Sequence, residues 1–257
     1  MKIGFRTGGF GNLAPVEILQ TIRRAGYDGV ELCLEHPRLQ PNLIDERLAL
    51  ELQEQIVASG LQLASVSYHA DGEELRRRLV QTVSAVKATN LLGGGILILN
   101  TERSSSPEQF SQIAKRMTVL CELAEQYKVY IAIEPEPLLV IGDTRDMLRL
   151  LDAVGSDRLR VNLDIGHSYC AGEDVARTIR ILGDRIVHYH IEDIEDRLHK
   201  HLLPGDGDMP IRQIVETALA TGFDGFFTID LFNFPEDGER YAKKALDAFR
   251  RIVGEPT

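Results

Sequence analysis

Residues 130–134 read Tyr-Ile-Ala-Ile-Glu, and three later stretches repeat the design: Arg160–Asp164 (RVNLD), Ile186–His190 (IVHYH) and Phe226–Asp230 (FFTID). Each is a short apolar run, rich in β-branched or aromatic residues, that ends on a carboxylate or an imidazole. Runs of this length and composition read as buried strands, not helices. Side chains alternate along a strand, so Glu134 shares a face with Ala132, Asp164 with Asn162, His190 with His188 and Asp230 with Thr228. Small or polar partners suit the inside of a barrel. The intervening Ile133, Leu163, Tyr189 and Ile229 suit an outer side covered by helices.

Outward from these four, the chain alternates strand and helix throughout. Strands are expected at Lys2–Arg6, Gly29–Leu34, Leu61–Tyr68, Gly95–Leu99, Tyr130–Glu134, Leu159–Asp164, Ile186–Ile191 and Gly225–Leu231. Helical periodicity fills Pro15–Ala25, Ile44–Ser59, Glu73–Thr89, Pro107–Tyr127, Thr144–Val154, Val175–Leu182, Pro210–Thr221 and Gly238–Ile252. Such alternation calls for a parallel sheet, and eight cycles favour a closed (β/α)8 TIM barrel, a fold of about 250 residues. Ser106-Pro107-Glu108 carries a helix-start signal, with proline at the first helical position. Ala25–Gly29 (AGYDG) and Thr221–Gly225 (TGFDG) repeat one turn, in which glycine ends a helix and a strand follows. No Pro/Ser-rich linker interrupts the chain, so residues 1–257 are expected to form one domain.

Composition narrows the setting. The 257 residues are 44% hydrophobic, ample for a core, yet no apolar stretch approaches the ~18 residues of a membrane span. Met1–Arg6 enters a strand without a signal-peptide apolar region, and Cys33, Cys121 and Cys170 are far apart without CxxC spacing. Both point to reduced thiols in a cytoplasmic protein. A net charge of −10 disfavours a broad nucleic-acid footprint. The partner expected is therefore a small molecule, with a homo-oligomer also compatible.

In a parallel barrel the strand carboxyl ends converge on one mouth, where active sites are built. Glu134, Asp164, His190 and Asp230 gathered there suit a hard or borderline divalent cation. Around them, His167 in Asp164–His167 (DIGH), His69 past the third strand and Glu31 on the second are candidates for substrate contact. Glu35 is a weaker one. His199 and His201 lie in Glu192–Met209, a long charged loop that reads as a lid over the mouth. His188 reads as an interior residue. Gly93–Gly95 precedes a strand and reads as a turn, not a phosphate cradle.

These residues bring a family into view. The chain resembles the xylose isomerase-like barrel superfamily, the sugar-phosphate isomerase/epimerase group with its ketose 3-epimerases. The resemblance rests on AGYDGVEL (Ala25–Leu32), Glu134-Pro135, LDIGH (Leu163–His167), VHYHIED (Val187–Asp193), LPGDGDMP (Leu203–Pro210) and Asp230. It implies a divalent metal, manganese foremost with magnesium, cobalt or zinc as alternatives, on Glu134, Asp164, His190 and Asp230. It also implies a sugar or polyol substrate, contacted by His167, His69, Glu31 and His201. Glu134 and Asp230 would then carry protons beside the substrate carbonyl. The epimerase pattern has glutamate at position 230 and a polar residue where Val140 stands, so this chain departs from it twice. Endonuclease IV-type abasic-site nucleases share the barrel and many of these ligands, but Asn100 and His199 stand where histidine and aspartate would be wanted. A barrel that binds a sugar without turnover is the third reading.

Overall fold

The computed structural model describes residues 1–103, 106, 108–232, 234 and 237–255. Ten strands are formed among the described residues: β1 Lys2–Arg6, β2 Gly29–Cys33, β3 Gln62–Ser67, β4 Ile96–Leu99, β5 Tyr130–Ile133, β6 Leu159–Asp164, β7 Ile186–Ile191, β8 Asp193–Glu195, β9 Leu198–Leu202 and β10 Phe226–Ile229. All but β8 and β9 close into a parallel barrel in sequence order, with β1 pairing both β2 and β10. The helices are α1 Pro15–Ala25, α2 Glu46–Ala58, α3 Leu75–Leu91, α4 Gln109–Tyr127, α5 Thr144–Val154, α6 Ile165–Cys170, α7 Val175–Leu182, α8 Ile211–Ala220 and α9 Gly238–Val253. The fold is the (β/α)8 barrel that the alternation predicts.

Alternation along the strands separates two interiors. Ile133, Leu163, Tyr189 and Ile229 point outward into the apolar layer beneath the helices. Asn162, His188 and Thr228 are buried inside the barrel. The AGYDG turn closes α1 on Gly26, whose φ of 103° lies in the left-handed region where a side chain would be strained. Tyr27 then donates its hydroxyl to the Ala242 carbonyl at 2.8 Å, and Asp28 accepts from the Ile3 amide at 2.9 Å. This turn therefore fastens β2 beside β1, and Gly222, with φ of 86°, opens the matching turn before β10.

Differences from the expected elements are local. Glu134 and Asp230 each stand one residue past their strand, because β5 ends at Ile133 and β10 at Ile229. Helix α2 starts at Glu46, since Asp45 caps it by accepting from the Leu48 amide. The helix-start signal at Ser106-Pro107 falls partly on residue 107, outside the described residues. A short helix, α6, follows Asp164 directly. Within the expected lid, β8 and β9 pair into an antiparallel hairpin.

Candidate active site

Parallel strands all present their carboxyl ends to the same mouth, and pairing sets who stands beside whom. Asp164 on β6 is the register partner of His190 on β7, and His190 is that of Thr228 on β10. The donor atoms of Glu134, Asp164, His190 and Asp230 lie within 4.8 Å of one another, and all four residues are buried. His190 Nδ1 faces the three carboxylates at 3.3 Å (Glu134), 3.8 Å (Asp164) and 3.5 Å (Asp230).

The opposite face of that imidazole is already committed. His190 Nε2 lies 2.9 Å from Glu31 Oε2, a carboxylate that can only accept, so Nε2 carries a proton. Nδ1 then points into a ring of anions with no aligned hydrogen-bond partner, and Asp164 Oδ2 is likewise orphaned. Two like charges 4 Å apart repel by about 4 kcal/mol at an effective dielectric constant of 20. Three gathered carboxylates therefore need a positive centre. A divalent cation satisfies this donor set of one imidazole and three carboxylates, and the Glu31–His190 contact is the outer partner that such a ligand needs.

The surroundings of each group set its charge. Burial opposes ionisation of Glu134, but His190, His69 and His167 hold it well below the usual carboxylate range. Asn162 donates to its Oε2 at 2.8 Å, with His69 Nε2 at 3.2 Å, while His167 Nδ1 lies 3.2 Å from Oε1. Asp164 accepts from the His167 amide through Oδ1, capping α6 and leaving Oδ2 turned to the mouth. Arg6, at the end of β1, donates to Glu31 at 3.0 Å and to Asp230 at 3.2 Å. Burial works against Asp230, yet Arg6 and His190 keep it ionised below its ordinary value.

A second group lies beside the first. His167, Glu192, His199 and His201 offer donor atoms that also lie within 4.8 Å of one another. His199 Nε2 lies 3.0 Å from both His167 Nε2 and His201 Nε2, so it serves as the shared acceptor. Burial and the charge of His167 lower His199 to about 4, which fits that neutral role. Burial opposes the charge on His167, but Asp164 and Glu134 raise it to about 10. Burial and Asp164 push Glu192 well above the carboxylate range. Glu192 is admitted because residue 166 is glycine: a methyl there would overlap its carboxylate.

The hairpin delivering His199 and His201 is anchored. Asp193 accepts from the amides of Ile194, Gly205, Gly207 and Met209 at 2.7–3.2 Å, drawing the PGDGDM loop around one carboxylate. Beside the mouth opens a cavity of about 400 Å³, lined among others by Arg6, Cys33, His69, Asp71 and Phe232. That volume lies within the range of small-molecule sites.

Among the expected residues, Glu134, Asp164, His190 and Asp230 come together, with His167, His69 and His201 around them. Glu31 departs from its expected substrate contact. It is fully buried beneath His190, and its oxygens are taken by Arg6, Ser65 and His190, which suits an orienting role. Glu35 is exposed at the cavity rim, where its carboxylate accepts from the His69 and Ala70 amides. Arg6 and Glu192 carry no site signal in the sequence, and Asn162 shows there only as an inner-face partner of Asp164. Glu192 stands two residues past His190, so the alternation that places Asn162 beside Asp164 also places Glu192 on the inner face.

Fold and site together define a (β/α)8 barrel with metal-ligand-type side chains at its mouth. A family model described as xylose isomerase-like TIM barrel matches residues 19–252, and the chain belongs to that family. It is 26% identical to fructoselysine 3-epimerase of Shigella flexneri, over 99% of each chain. It is 24% identical to 3-dehydroshikimate dehydratase of Bacillus anthracis, over 72% of this chain and 69% of that one. Among solved structures, 3-keto-D-glucoside 4-epimerase of E. coli superposes with a TM-score of 0.82 at 19% identity, covering 98% of this chain and 99% of that one.

Proposed function

We propose that the protein is a divalent-metal-dependent isomerase or epimerase of a small sugar, polyol or sugar-derived keto compound, built as one domain. The observation that carries this reading is the buried ring of Glu134, Asp164, His190 and Asp230, with His190 Nδ1 and Asp164 Oδ2 orphaned. Three hard oxygen donors and one imidazole suit manganese foremost, with magnesium, cobalt or zinc as alternatives. When bound, such a cation polarises a carbonyl and its neighbouring hydroxyl and so acidifies the C–H bond between them. The relatives that act on sugars, named above, support the substrate class.

Glu134 is the group that accepts the proton from carbon. It is held ionised, hence a weak base, and its effectiveness comes from placement: Asn162, His69 and His167 aim it into the mouth. Glu31 fixes the His190 ring from below. His167 and His201 face the substrate from the hairpin side, and His69 from the cavity side. The second group, His167, Glu192, His199 and His201, favours one other reading, an abasic-site nuclease with more than one ion.

Metal analysis of purified protein is the first test, and Glu134→Gln and His190→Ala should each lose bound manganese at least 10-fold. Unchanged content in both would defeat the metal site. Incubation with a panel of ketoses, aldoses and inososes in deuterated water should place solvent deuterium beside a carbonyl. Cleavage of abasic DNA would favour the nuclease, and binding of a sugar without exchange would favour a non-catalytic barrel.

A further inference from the structure

Arg6 is a buried guanidinium at the carboxyl end of β1, 4% exposed. Its Nε donates to Glu31 at 3.0 Å, and Nη1 lies 3.2 and 3.4 Å from the two oxygens of Asp230. Nη2 lies 2.6 Å from His69 Nδ1, and the Phe232 ring covers the guanidinium with its centroid 4.8 Å away. A planar cation held by three partners and an aromatic face has no freedom to turn. A carboxylate with both oxygens facing that cation is tethered with it. Asp230 is also one methylene shorter than glutamate, about 1.5 Å less reach. Glu134 differs: among the described residues its contacts are amide and imidazole groups, and no arginine or lysine is paired with it.

We propose that Arg6 is a positioning residue that ties Asp230 down, so that of Glu134 and Asp230, the two candidate proton carriers, Glu134 alone carries a proton to and from carbon. This rests on the mouth being a site of proton transfer, as argued above. Inversion of a carbon needs a proton removed from one face and delivered to the other. A single carrier returns it on the face it came from. The chemistry that fits is transfer to the neighbouring carbon. Glu134 takes the proton from the carbinol carbon, and the C–H electron pair forms the double bond of an enediol. The former carbonyl oxygen takes up the neighbouring hydroxyl proton. Glu134 then returns its proton to the old carbonyl carbon, and the carbonyl re-forms one carbon along. No atom or electron is gained or lost, and no co-reactant is needed.

A double-mutant cycle tests the tether without any substrate. Arg6→Met, Asp230→Asn and the pair are melted with EDTA and with saturating manganese chloride. Arg6→Met should lower Tm by about 10 °C, because it leaves the buried Glu31 and Asp230 carboxylates without their cation, and Asp230→Asn should lower it by less, because Arg6 keeps Glu31. The pair should melt no lower than the worse single, in both conditions. Should Arg6→Met fail to fold, Arg6→Lys takes its place, since an ammonium keeps the charge and cannot span three partners. Loss of the coupling when manganese is added, or its absence throughout, means that Arg6 does not hold Asp230 and overturns the proposal.

The second arm follows the product formed from ketoses in deuterated water. Manganese-loaded wild type should give the aldose isomer, retaining part of the substrate's own hydrogen. Arg6→Met/Asp230→Glu should gain a product inverted beside the carbonyl, at least 10-fold above wild type. Inversion as the main wild-type reaction overturns the proposal, as does a double variant that gains none. If no sugar exchanges at all, the functional reading fails, and the melting cycle still decides whether Arg6 holds Asp230.

Discussion

His190 carries two opposed demands on one ring. Burial disfavours its charge, but Glu31 and Glu134 raise it well above its ordinary value, so without metal it keeps both protons. A cation taken at Nδ1 must displace one of them. Manganese binding at pH 7 should therefore release about one proton per ion, read by calorimetry in buffers of different ionisation enthalpy. No release would remove His190 from the ligand set. The histidine trio gives a prediction with a sign on each side of pH 6.5. His199 is lowered to about 4, so its contribution to stability is complete above its unfolded value of 6.5 and is lost as pH falls towards 4. His167 is raised to about 10, so its contribution is complete below 6.5 and is lost as pH rises towards 10. In EDTA, Tm of the wild type should fall in both directions, and His199→Gln should flatten the acid limb. An unchanged acid limb in that variant would rule His199 out as its source. Gly166→Ala should cost about 2 kcal/mol or more, because the methyl meets the buried Glu192 carboxylate. Equal Tm and equal metal content in that variant would show that Glu192 can move aside.

At the scale of elements, the hairpin β8–β9 and the loop that follows it are drawn together by one carboxylate. Asp193→Ala leaves the amides of Gly205, Gly207 and Met209 without their acceptor, a loss of about 3 kcal/mol at roughly 1 kcal/mol for each hydrogen bond. His199 and His201 would lose their place while Glu134, Asp164, His190 and Asp230 kept theirs. The expected result is a fall of at least 10-fold in kcat/KM with manganese content unchanged, and a matching loss of metal would contradict the division. This hairpin also marks where the sequence becomes hard to read. Its turn is built on Asp196 and Arg197, with φ of 53° and 56°, and carries none of the glycine that announces a hairpin. The barrel strands were legible because period-two alternation ending on a carboxylate or an imidazole repeats four times. Glu31 reads as a rim acid from its strand alone, and only its pairing with Arg6, Ser65 and His190 shows it to lie below the floor. Arg6 is silent in sequence for the same reason: its meaning comes from Asp230.

Over the whole molecule, closure of the barrel decides when the site exists. The eight barrel strands pair in chain order, and the ring is completed where β10 lies against β1. Arg6 and Asp230 meet across that seam although they stand 224 positions apart in the chain. Chains emerge from the ribosome at about 5–20 residues per second, so Arg6 waits roughly 11–45 s for the aspartate it will hold. During that interval β1 and the latest strand present unpaired edges, and Glu31 is the first of Arg6's two acid partners to emerge. Glu134, Asp164 and His190 emerge before Asp230, so a nascent chain has three of the four ring residues and an open wall. On the proposed metal reading, ion capture is an event of the finished chain, and a nascent chain halted before β10 should carry no bound manganese.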